Sequence, residues 1–136
     1  GTGESTGSYY CPGSILRISV ERKHPLAFGM PQSALAFQSG GDAWEITLDS
    51  DYNKGSRQIR SVARYAAQDV LASGWLSGEH QVANRIILAE ARHGEGRVVL
   101  FGFRPQFRGQ TFGTFKLLLN AIYLGSAREL VASSNK

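Results

Sequence analysis

In "YYCPGSILRISV" a Pro-Gly turn is followed by the apolar positions Ile15, Leu16, Ile18 and Val20 among polar ones, and this pattern predicts a strand. "HPLAFGMP" follows as a loop or a single helical turn, and "SALAFQS" and "AWEITLD" each suit a short strand. "SDYNKGS", between Asp49 and Arg57, is rich in turn formers and reads as a connection. "RQIRSVARYA" spaces Ile59, Val62 and Tyr65 imperfectly and predicts a strand, with a helix as the alternative. Ile86, Ile87 and Leu88 lie in a further strand, Gly94-Glu95-Gly96 supplies a tight connection, and Val98 to Phe101 returns as its antiparallel partner. The unbroken run Val98-Val99-Leu100-Phe101 predicts a strand covered on both faces. From Thr111 the period changes: Phe112, Phe115, Leu118, Leu119 and Ile122 recur at three-and-four spacing, which predicts a helix buried along that stripe and stopped at Gly125.

Strands therefore dominate and one helix closes the chain. The expected fold class is α+β, mostly β, a mixed or antiparallel sheet with the C-terminal helix packed on it. Residues 1–8, made almost wholly of Gly, Ser and Thr, read as a flexible leader or linker; residues 9–128 are expected to form a single domain, and 129–136 a tail. No repeat or heptad pattern interrupts this order.

Composition narrows the function classes. At 136 residues the chain can bury on the order of two thirds of its unfolded surface in one core. No apolar run approaches the roughly 20 residues of a membrane span, and the first residues lack the basic, apolar and small-residue progression of a signal peptide. The formal charge of +4 hints at an anionic partner, yet the basic residues are mostly arginines spread along the whole chain. Arg57, Arg60 and Arg64 alone show loose regularity, which fits a solvated strand face rather than a nucleic-acid surface.

The candidates for chemistry are few. Cys11 is the sole cysteine, which excludes an internal disulfide and a cysteine-built metal site; before Pro12-Gly13 it reads as a small buried thiol. His24, His80 and His93 lack the short spacing of metal ligands, and the expectation is ordinary surface histidines, with His24 placed to cap a turn before Pro25. No serine sits in a G-x-S-x-G frame. The best candidate surface joins "SGWLSGEH" to the turn after Phe103. Trp75 offers a rigid apolar anchor, Glu79 and His80 polar groups, and Arg104 and Arg108 forks for a carboxylate. Those arginines have a structural reading too, in which they tie loop carbonyls or Glu79 together.

"YYCPGSILRISV", "HPLAFGMP", "SGWLSGEH" and above all "GEGRVVLFGFRPQFRGQTFGTFKLLLNAIY" resemble the C-terminal region of large bacterial proteins related to the zinc carboxypeptidases of the carboxypeptidase A type. That region is similar to a class I glutamine amidotransferase-like domain, and the resemblance runs from about Tyr9 to Gly125. It implies the distal half of such a domain, carried by a secreted or envelope-associated peptidase whose catalytic domain lies upstream. The family's His-x-x-Glu zinc motif matches no position here, so zinc is expected only in the parent's upstream domain and no cofactor in this segment. The implied role is non-catalytic: interdomain packing against the upstream peptidase domain, or substrate presentation. The alternative is a stand-alone module binding a small anionic ligand or peptide carboxylate. A half-domain is also expected to leave an open sheet edge or an uncovered apolar face, through which the isolated segment forms homo-oligomers.

Overall fold

The computed structural model describes residues 9–40, 58–109 and 111–126. The strand predicted in "AWEITLD", the connection after it, the leader and the tail lie outside these residues. Six strands are described: β1 (Ser14–Val20), β2 (Ser33–Gln38), β3 (Gln58–Tyr65), β4 (Leu71–Ser73), β5 (Ile86–His93) and β6 (Gly96–Phe101). A 3₁₀ turn, Pro25–Ala27, separates β1 from β2, a short helix α1 (Glu79–Val82) precedes β5, and a second 3₁₀ turn, Phe112–Thr114, leads into α2 (Phe115–Ser126).

All recorded strand pairings are antiparallel, in the order β2-β1-β3-β5-β6, with β4 beside the first half of β1. The chain after β6 returns to the far edge, where Arg104 bridges to Phe37 of β2, so the sheet curls toward closure. The protein is mostly β, with a curled antiparallel sheet and one C-terminal helix.

Alternation decides the core. Ser14, Leu16, Ile18 and Val20 of β1 point inward and are buried, joined by Ala36, Val62, Tyr65, Ile87 and Leu88 from neighbouring strands. Leu26 and Ala27 of the first 3₁₀ turn, Val82 of α1 and Leu117 of α2 close the ends. The hairpin forms as its glycines predict: β5 and β6 are joined by Gly94 and Glu95 alone, Gly94 taking the positive φ of 61° that such a turn needs.

Two packing expectations are overturned. β6 is not covered on both faces: its burial alternates, and Val98 and Leu100 are exposed, because it ends the strand order and shields only one face. The strand buried on both faces is its neighbour β5, from Ile86 through Glu90. α2 does run where the period placed it, continuing through Gly125 to Ser126, but it is turned the other way. Leu117 is fully buried, with Ala121 and Leu124 packed beside it, while Phe112, Leu119 and Ile122 of the predicted core stripe are 75%, 52% and 64% exposed. Its main neighbour is the first 3₁₀ turn rather than the sheet face. Asn120 Nδ2 donates to the carbonyls of Leu26 and Phe28, and Lys116 Nζ to that of Gly29. No described helix is long and apolar enough to cross a membrane.

Candidate ligand-binding site

The turn after β6 is built around a ring. Phe107 stacks on Phe37 of β2, with centroids 4.6 Å apart and planes within 7°. The guanidinium carbons of Arg104 and Arg108 lie 5.2 and 5.3 Å from the centroid of the same Phe107 ring. This brings the two arginines together, as the sequence suggested, but not by tying carbonyls. The Arg104 amide donates to the Phe37 carbonyl, and the Pro105 carbonyl accepts from the hydroxyl of buried Thr114. Backbone satisfaction in this turn thus comes from β2 and from the second 3₁₀ turn. Neither guanidinium has a recorded hydrogen bond to a main-chain carbonyl or a carboxylate partner among the described residues.

This geometry predicts a graded loss of stability. Arg104→Ala and Arg108→Ala should each lower it by no more than about 1 kcal/mol, the worth of an exposed cation–π contact. Phe107→Ala, which removes the stack on Phe37 and both cation contacts, should cost about 2–3 kcal/mol. Urea denaturation of the three variants checks this order, and an arginine variant as damaging as Phe107→Ala would show that the arginines hold the turn.

Trp75, Glu79 and His80 belong to a second locale. The Ser14 hydroxyl donates to the Trp75 carbonyl (2.7 Å) and accepts from its amide (2.8 Å), while the Tyr10 and Ser77 amides and carbonyls bond reciprocally. Trp75 and Tyr10 remain exposed beside this clamp. Glu79 Oε1 accepts from the Val70 amide, so its carboxylate holds the β3–β4 loop, and His80 is exposed. Among the recorded contacts none links this locale to Arg104 and Arg108, and Glu79 is bound elsewhere than to an arginine.

A third cluster was missed in the sequence as a unit. His24 is buried, a correction to the expectation of a surface residue, although its predicted cap is present: Nδ1 accepts from the Leu26 amide at 3.2 Å. Its Nε2 lies 2.8 Å from Oε2 of buried Glu90, off the line of a straight hydrogen bond, and Arg97 reaches the other carboxylate oxygen at 3.3 Å. Burial lowers the His24 pKa below 6.5, with Glu90 opposing the shift and Arg60 and Arg97 adding to it. The signal was Glu90 itself, two residues beyond Leu88 and hence on the same face of β5.

No protein-family model, curated protein or solved structure matches the chain. Function must therefore be argued from the geometry. His24 Nδ1 accepts from the Leu26 amide and its buried Nε2 lies against Glu90, which gives the histidine a structural role in the turn. The buried Cys11 thiol donates to the Gln38 carbonyl at 3.4 Å, so its recorded hydrogen bond goes to main chain and not to an activating base. Among the described residues no three His, Cys, Asp or Glu side chains group as metal ligands.

Proposed function

We propose that this chain is a non-catalytic accessory domain of a carboxypeptidase-like bacterial protein, related to the distal half of a class I glutamine amidotransferase-like domain. Its role is packing against the parent's upstream peptidase domain, or presenting substrate to it. The supporting observation is the outward stripe of α2. A largely apolar helix needs cover on more than one side, and among the described residues only the side of Leu117, Ala121 and Leu124 packs on the core while Leu119 and Ile122 stay exposed. Covering Phe112, Leu119 and Ile122 would contribute roughly 1.5–3 kcal/mol for each side chain, enough to hold two domains together.

The isolated chain should associate with itself as its concentration rises in light scattering, and Leu119→Asp with Ile122→Asp should leave it folded and monomeric. In a fusion to the peptidase domain, the amides of α2 should exchange more slowly than in the isolated chain. A monomeric isolated chain whose α2 exchange is unaltered by the fused domain would remove the packing role.

The pairing of Arg104 and Arg108 on one ring, with no carboxylate partner recorded among the described residues, favours a second reading, a module that binds a small anion or peptide carboxylate. Titration with a C-terminal peptide, lost on Arg104→Ala with Arg108→Ala, would support it.

A further inference from the structure

Between the end of β1 and β3 lies an open groove of about 470 Å³. It arises because the β1–β3 ladder is short and β3 is irregular against β5. β1 pairs with β3 only over Ile18 to Val20, the register of β3 against β5 shifts twice between Ser61 and Arg64, and after the Glu21 amide bonds to Val62 the chain turns away toward Pro25. Polar and charged side chains line the gap, among them Ser19, Ser61, Arg22, Lys23 and Arg64, with Glu21 as the one acid.

We propose that this groove binds a small, multiply charged oxyanion, with Arg22, Lys23 and Arg64 as its cationic contacts. Three observations converge on it. Three cations face one carboxylate, and Glu21 Oε1 is directed into its own turn by the Lys23 amide. None of the three cations has a recorded ion pair among the described residues. Arg64 is held in place by donating from Nη1 to the Asn84 carbonyl, so its remaining donors are offered with less ordering cost. Each exposed charge pair is weak alone, which disfavours a monovalent ligand. Several contacts from a concave cationic surface reinforce one another, which selects an anion carrying two or more charges. The proposal stands apart from the accessory role and from the Arg104–Arg108 pair.

The test is amide-resolved NMR titration of the chain at low ionic strength, with inorganic pyrophosphate in one arm and citrate in the other. Saturable shifts at Ser19 and at Ser61 to Arg64 are expected, and the tighter arm tells a phosphate source from a carboxylate one. Arg22→Gln with Lys23→Gln, both on an exposed turn, should weaken binding at least about tenfold, and Arg104→Ala with Arg108→Ala should leave it unchanged. Arg64→Met gives the same reading should the first pair disturb the fold. Absence of saturable shifts with either anion, or undiminished binding by the folded groove variants, would overturn the proposal. So would shifts of these amides by a short DNA duplex alone, which would make the surface a nucleic-acid interface.

Discussion

Gly74→Ala is expected to destabilise the protein by about 3 kcal/mol, combining backbone strain with damaged hydrogen bonds. Gly74 has φ of +104°, a region that L side chains rarely adopt. A Cβ there would lie 2.6 Å from Ser14 Oγ, 2.9 Å from its Cβ and 3.0 Å from its Cα. The Ser14 hydroxyl cannot swing aside freely, since it both donates to and accepts from the main chain of Trp75. Relief must come from moving β1 or from opening the clamp that sets the β4–α1 segment against the start of β1. The steric part is separable from the conformational part. Ser14→Gly removes the two nearest atoms, so the double variant should recover part of the loss, and urea midpoints for the four species measure that coupling. An unaltered midpoint for Gly74→Ala would mean that the segment carrying Trp75 is not locked as the structure describes.

What could be read from the sequence was what neighbouring residues determine. The apolar run Ile15, Leu16, Ile18 and Val20 after a Pro-Gly turn placed β1, Gly94 placed the hairpin, and His24 before Pro25 placed a capped turn. The rotation of α2 was not of this kind. "FKLLLNAIYLG" is apolar at nearly every position, so its period does not choose a face. That choice is made by polar atoms acting over long sequence separations: Lys116 and Asn120 bond the first 3₁₀ turn, and Thr114 bonds Pro105. The stack of Phe107 on Phe37 is equally non-local, which is why Arg104 and Arg108 could be paired from sequence while the group pairing them could not. Of the predicted surface, the structure unites the two arginines and places Trp75, Glu79 and His80 in a separate locale. The His24–Glu90 contact joins residues 66 positions apart in sequence, and only the inward register of Glu90 hinted at a partner.

The burial of His24 beside Glu90 gives the second effect, a loss of stability in mild acid. Burial keeps the His24 pKa below its unfolded value of 6.5, so the folded state holds His24 neutral where the unfolded chain already takes up a proton. The contribution is therefore complete above about pH 6.5, falls as the pH drops below it, and levels off once the folded histidine itself titrates. A single proton limits the slope to about 1.4 kcal/mol per pH unit. Structurally the proton is harmful because Nδ1 accepts from the Leu26 amide, and a protonated Nδ1 cannot. The turn so weakened carries the carbonyls of Leu26 and Phe28 that bind Asn120, which couples His24 to the seating of α2. His24→Asn keeps a capping oxygen and loses the titration, so its stability should fall less than that of the wild type between pH 7 and pH 5, a window of about two units around the unfolded value. Glu90→Gln removes the carboxylate that partly opposes the shift, and should extend the wild-type decline to lower pH. Denaturation at a series of pH values, with hydrogen exchange of the α2 amides followed alongside, measures both. Parallel stability curves for the wild type and His24→Asn would mean that the acid sensitivity arises elsewhere in the molecule, whereas early loss of protection in α2 would place its first step at the His24 turn.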